Sequence, residues 1–369
     1  MNSQKRKNIW YFCALLPLLL FTPGCSYPRQ KIIDEIQLQT VLGLDKVNNE
    51  YVGTAVFTDY SGEEKKGGSS ILQGKEKKTR MIRQSINAQS SKPIEIGKLN
   101  LLIFGKELAR NGLAYFVKTI CRDPLIGSNL FIAVSDEPAG ELLMKNKDKN
   151  SDYLYKLIEQ NYRNQNVPVP TLQHFLFDYY GEGRDPSIPF LKVNQKGNIT
   201  VNGLAVFKKD RLGLILNQKE AFLYKILRGR VIRGETAFKL HKGKSEDLAL
   251  LTILYGKNKK SIINKDTNSK VICNLTLSGM VKDYPDWLDL RKKQNNILLK
   301  KQLEKQMKKD FEKLFVKFQK HQVDPLGIGD LVRAHSKKWD EKEFYKKVYP
   351  SIALDMNLKI DLFQAGIGE

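Results

Sequence analysis

The chain is poor in the residues that most often carry chemistry. Its four histidines, His174, His241, His321 and His335, lie far apart and at no metal-ligand spacing. There is no C-x-x-C and no H-E-x-x-H, so the common zinc signatures are absent. No G-x-S-x-G elbow and no P-loop occurs. Gly327-Ile328-Gly329 reads as a turn before a helix rather than as a phosphate cradle. Carboxylates are plentiful, but their order along a chain does not show which two face each other. Nothing in these patterns argues for an enzyme or for a cofactor.

Cysteine is as scarce. Four cysteines in 369 residues exclude a disulfide framework. Cys121 and Cys273 lie in different halves and read as two buried free thiols, with one long-range disulfide as the alternative. Acidic residues are under-represented: 62 Lys and Arg stand against 40 Asp and Glu, a formal net charge of +22. Long apolar runs are missing too. The one candidate, Ile9–Phe21, has 13 residues, short of the roughly 20 that a membrane-crossing helix needs.

What is present begins at that run. Lys5, Arg6 and Lys7 precede it, and "TPGCS" follows it. A basic start, a short apolar middle and a small-residue end make a secretory leader. Gly24-Cys25 adds the features of a bacterial lipobox. There a thiol takes up diacylglycerol and the chain is cut before it, at a small residue. Thr22 stands where such boxes usually carry leucine. An ordinary leader with an incidental cysteine and an uncleaved anchor are the alternatives. Cys25 is the candidate lipidation site, and its acyl chains would be the sole anchor. Each buried methylene contributes ~0.8 kcal/mol, and stable attachment takes more than one chain.

Cleavage before Cys25 takes 24 residues from 369 and leaves 345, enough for more than one core. Outside a membrane, the basic balance points to anionic lipid rather than to nucleic acid. Residues 37–60 read as a hairpin turning at Val47–Glu50, and a helix is expected near 75–89. A buried strand is expected at 99–104 and one helix over 106–121, with Ala109, Leu113, Phe116, Val117 and Ile120 on a face. A strand at 128–135 follows, then a helix capped by Asp136 with Pro138 in its first turn, then helices at 151–163 and 171–180. Residues 181–198, rich in Gly, Pro and Asn, read as a loop and a boundary.

The second half opens with a hairpin turning at Lys208-Lys209-Asp210. Asn217 and Glu220 have capping-box spacing. Residues 291–321 form the longest helix, with Leu303, Met307, Phe311, Leu314, Phe315 and Phe318 in one stripe. Residues 291–320 carry 11 Lys and Arg against 3 acids. Helices at 328–337 and 340–348 precede a closing strand in which Ile352, Leu354, Met356, Leu358, Ile360 and Leu362 alternate with polar positions. The expected class is α+β and multi-domain, with mixed sheets, packed helices, a long amphipathic helix and a C-terminal strand. The expected units are a leader at 1–24, an α/β region at 25–197 and an α+β region at 198–369. The last divides into a hairpin–helix part, 198–240, and a helix–sheet part, 241–369.

Four stretches in order carry a resemblance. "GKLNLLIFGKELARNGLAYFVKTICRDPLIGSNLFIAVSDEPAGELL" at 97–143 resembles the Ger(x)C family of bacterial spore-germination lipoproteins. So do "QTVLGLDK" at 39–46, "NGLAVFKKDRLGLILNQKEAFLYKIL" at 202–227, and 324–366. Ser26-Tyr27 replaces the Trp-Asp that often follows the family's cysteine. The resemblance implies a non-catalytic role as the C subunit of a nutrient germinant receptor. It implies a place on the outer face of the spore inner membrane, beside integral-membrane A and B subunits. It carries over no ligand-binding residue. Two other classes stay open: an extracytoplasmic solute-binding lipoprotein with a cleft between two domains, and an envelope hydrolase.

Overall fold

A computed structural model describes Ile32 and residues 35–363, apart from 59–68, 121, 128, 165, 244, 264–268 and 337. Cys25 and Cys121 lie outside the described residues. The folded body is the compact unit that begins at Gln37.

The first hairpin is β1 (Gln37–Val47) and β2 (Glu50–Thr58), with Val47 paired to Glu50. Asn48 and Asn49 make the turn at φ of 46° and 67°. Asparagine tolerates this left-handed region, and such turns match the twist of the flanking strands. The expected helix near 75 starts later, because β3 (Ser69–Glu76) pairs with β2 before α1 (Thr79–Asn87) begins. A two-residue strand, β4 (Ile94–Glu95), adds to β1.

β5 (Leu101–Gly105) and β6 (Phe131–Ser135) are buried throughout. Both lie in parallel pairings inside the sheet, so both of their faces are covered and their sequences are continuous apolar runs. The expected single helix between them is two: α2 (Lys106–Asn111) and α3 (Ala114–Ile120). Gly112 breaks it at φ 112°, a conformation that suits glycine. The carboxylate of Asp210 then accepts the Ala114 N–H at 3.1 Å, and its carbonyl accepts that of Leu113 at 2.9 Å. A turn remote in sequence therefore starts the second helix.

α4 (Ala139–Met144), α5 (Tyr153–Arg163) and α6 (Leu172–Tyr180) follow. Thr171 caps α6, as its sequence suggests. Asp136 does not cap α4. The buried carboxylate of Asp45 on β1 does so, accepting the Ala139 and Gly140 N–H groups at 2.8 and 2.9 Å. Asp136 pairs with Lys106 instead.

The segment 181–198 is not a plain loop. It holds β7 (Ser187–Val193), parallel to β6 and antiparallel to β8 (Ile199–Lys208). Pro189, which has no N–H to donate, sits where the β7–β8 register shifts. β9 (Arg211–Leu216) completes a nine-stranded mixed sheet in the order β3-β2-β1-β5-β6-β7-β8-β9, with β4 beside β1. This sheet runs past residue 197.

α7 (Gln218–Arg228) carries the capping box between Asn217 and Glu220. The second sheet has β10 (Arg230–Ile232), β11 (Glu235–Lys242), β12 (Ser245–Ile263), β13 (Lys270–Asp283) and β14 (Ala353–Phe363). β14 lies parallel to β13 over eleven paired residues. α8 (Lys293–Lys320) packs on β11, β14 and α7 through Leu299, Leu303, Met307, Phe311, Leu314, Phe315 and Phe318, all buried. α9 (Ile328–Arg333) and the short helical turns Glu341–Glu343, Phe344–Val348 and Tyr349–Ser351 connect α8 to β14.

One apolar cluster joins a face of the first sheet to α7, α8 and the second sheet; another covers the opposite face of the first sheet. The two halves of the chain thus share a core. Cys273, on β13, is a buried free thiol.

Candidate functional site

Three features stand out. The first is a polar joint where the two halves meet. Asp185, before β7, is 1% exposed. Its carboxylate accepts the Lys208 ammonium at 3.0 Å, the Lys209 N–H at 3.0 Å and the Asp324 N–H at 2.7 Å. Asp324, fully buried, accepts the N–H groups of Ile328 at 2.9 Å and Gly329 at 2.7 Å, which begin α9. Tyr345 donates its hydroxyl to the same carboxylate at 3.3 Å, and the Lys208 ammonium lies over the Tyr345 ring at 3.6 Å. Beside it, Arg228 on α7 reaches Asp178 at 2.9 Å, the His174 Nε2 at 2.7 Å and the Tyr224 hydroxyl at 2.8 Å. Burial, and then the Arg228 charge, hold the His174 pKa below its usual value. Its Nε2 is the acceptor for Arg228.

These carboxylates are occupied by backbone and side-chain donors of the chain itself, so the joint works as a fastening between chain segments. Burial is the main cause that pushes the Asp324 carboxyl up to about 6; the charge of Asp185 adds to it, and the two α9 N–H groups oppose it. The unfolded value is about 3.9. A carboxyl raised on folding holds its proton more tightly in the folded chain. Its stabilising contribution is full below about pH 4 and is lost as pH rises through about 6. Relative to Asp324→Asn, the native chain should lose about 2–3 kcal/mol of unfolding free energy between pH 4 and 7. Denaturant unfolding at several pH values reads the difference; a pH-independent gap would contradict it.

The second feature is the outer face of α8. Lys301, Lys305, Lys309, Lys313 and Lys320 are exposed, and they make no ion pair among the described residues. The charges on the flanks of the helix are paired instead: Lys300 with Asp361, Lys317 with Glu220 and Asp310 with Lys219. Ile297, Leu298 and Val316 are exposed apolar residues on the same helix.

The third is an open groove of about 560 Å3 on the first sheet, between α1 and the end of α3. Leu44, Ile82, Ile86, Leu102 and Phe116 are among the residues that line it, with Arg80, Arg83 and Arg122. The groove lies within the first sheet rather than between 25–197 and 198–369. Nothing in the sequence order alone brings Arg122 to Arg80. Among the described residues no three His, Cys, Asp or Glu side chains gather as a metal site. Cys25, the one lipidation candidate, lies outside the described residues.

Comparison with known proteins fits this fold. Residues 29–193 match the spore germination protein N-terminal domain, and residues 202–366 match the spore germination B3/GerAC-like C-terminal family. The chain belongs to the Ger(x)C family of spore-germination proteins. It is 27% identical over 363 residues to the spore germination protein GerQC of Bacillus cereus, covering 96% of this chain and 98% of that one. It is 22% identical over 380 residues to the putative spore germination protein YfkR of Bacillus subtilis (strain 168), covering 96% and 95%. The crystal structure of the GerBC protein shares the fold, with a TM-score of 0.56 at 14% identity, covering 87% of this chain and 96% of that one. The family is one of germinant-receptor subunits and is not a known enzyme family. The two family matches meet between Val193 and Asn202, where β7 turns into β8.

Proposed function

We propose that this chain is the lipid-anchored C subunit of a nutrient germinant receptor. Cys25 carries the diacylglycerol anchor, and the body sits on the outer face of the spore inner membrane with the A and B subunits. The observation that carries this reading is the pair of family matches spanning 29–193 and 202–366. The basic leader and Gly24-Cys25 support the anchor. Among the described residues no helix is long and apolar enough to cross a membrane. Tethering raises the effective concentration of the body toward membrane partners, so a weak interface suffices for assembly.

The test is nutrient-triggered dipicolinate release from spores carrying the intact gene, a deletion, or Cys25→Ala as the only copy. Deletion and Cys25→Ala should both abolish the response to one nutrient class. A normal response from Cys25→Ala spores beside a failed deletion would remove the anchor and leave the receptor role.

The exposed lysines of α8, which make no ion pair among the described residues, suit an anionic leaflet. Each contributes about 1 kcal/mol near such a surface, screened by salt. Changing Lys305, Lys309 and Lys313 together to glutamate should weaken binding of the unacylated chain to phosphatidylglycerol vesicles by on the order of 100-fold at low salt. Neutral phosphatidylcholine vesicles should show no change. Equal sedimentation of native and variant chains with the anionic vesicles would refute this placement.

A further inference from the structure

The groove on the first sheet has two chemically different parts. Its floor is aliphatic and aromatic: Leu44 and Leu102 from the sheet, Ile82 and Ile86 from α1, and Phe116 from α3. Its rim carries three guanidinium groups, Arg80, Arg83 and Arg122, against one carboxylate, Asp123. All three arginines are exposed. Arg80 and Arg122 make no ion pair among the described residues. Among the described residues, Arg83 reaches only the Ile94 carbonyl, at 3.4 Å. The Asp123 carboxylate accepts the Leu125 N–H at 3.0 Å.

Other observations mark the Thr79–Arg80 end of the groove as a place for negative charge. α1 starts there with no side-chain cap and no acidic residue in its first turn. The positive end of its dipole is therefore uncompensated. Thr79, its first residue, lines the groove, and its buried hydroxyl oxygen has no hydrogen-bond partner among the described residues. A hydroxyl so placed favours a ligand that can accept its proton. The volume, about 560 Å3, lies in the range of small-molecule clefts, which combine an apolar lining with a few polar groups that fix orientation.

We infer that this groove binds a small organic monoanion, a carboxylate on an aliphatic body. The carboxylate meets Arg80 and Arg122 beside the Thr79 hydroxyl, and the aliphatic part lies over Ile82, Ile86 and Phe116. Arginine suits this task because its planar donor fork matches a carboxylate bidentately. The aliphatic floor supplies the remaining contact by burial from water. This inference does not depend on the receptor role, since it concerns one face of the first sheet.

The test uses the full chain in lipid nanodiscs, with protein-free discs as the blank, and radiolabelled hexanoate as the probe in equilibrium dialysis. Hexanamide, of the same shape without the charge, is the comparison. Hexanoate should bind saturably, and hexanamide should displace it poorly. Arg80→Ala and Arg122→Ala should each weaken hexanoate about tenfold, the loss of one charge-assisted contact. Both arginines are exposed, so the thermal midpoint should stay unchanged and separate binding from folding. Three results would overturn the inference: no hexanoate uptake above the blank, equal binding of amide and acid, or affinity indifferent to both substitutions. If hexanoate fails to bind while Arg80→Glu changes association between copies in sedimentation, the groove is a protein interface and the inference is wrong.

Discussion

Replacing Asp185 with alanine is expected to lower the unfolding free energy by about 3–5 kcal/mol. The side chain is buried and holds three donors: the Lys208 ammonium, the Lys209 N–H and the Asp324 N–H. Alanine leaves two backbone N–H groups without an acceptor. It also leaves Lys208, whose side chain is one-third exposed, without its carboxylate. Unmet buried donors cost more than the bonds they formed contribute, because water no longer reaches them. Asp185→Asn keeps an acceptor oxygen but places an amide nitrogen against donors, so its loss should lie between native and alanine. Chemical denaturation of the three proteins gives the order. Alanine equal to native would mean that the joint does not hold the two halves together.

Phe311→Ala should cost about 3–5 kcal/mol. Phe311 is fully buried in the middle of the α8 stripe, in the cluster that also takes in β11, β14 and α7. Removing the ring discards its transfer free energy and leaves a cavity, because α8 is held at both ends by Leu303, Met307, Phe315 and Phe318 and cannot collapse inward. Phe311→Leu should recover most of the loss, since it keeps the site apolar and nearly filled. Thermal unfolding of both variants tests the claim. A midpoint unchanged by alanine would show that α8 is not packed as described.

Much of the architecture was legible because it follows from local chemistry. The Asn48-Asn49 turn, the Thr171 cap, the Asn217–Glu220 box and the α8 stripe each depend on residues within a few positions of one another. The features that escaped depend on distant partners. Ser187–Val193 reads as loop because of Pro186, Pro189 and nearby glycines, yet β6 and β8 supply the ladder that makes it a strand. Residues 106–121 carry a helical apolar period, but Asp210 restarts the helix after Gly112. Asp136 stands where a cap for α4 belongs, and Asp45, on another strand, provides it. The joint of Asp185 and Asp324 spans 139 residues of sequence, and one groove is lined by both Arg80 on α1 and Arg122, which follows α3. No periodicity reports such meetings. The candidate lipidation site is the reverse case: the Gly24-Cys25 pattern is visible in sequence alone.

The parallel pairing of β13 with β14 fixes an order of events during synthesis. A ribosome makes residues 270–283 well before 353–363, and α8 and α9 come between them. Until the last of these residues emerges, β13 has one open edge along eleven positions, and α8 lacks one of the strands it packs against. The first sheet has all its strands once residue 216 is out. The nascent chain therefore matures in two stages, with the second waiting for β14. In that interval the uncovered edge of β13 is the part of the molecule most open to wrong pairing with a neighbour.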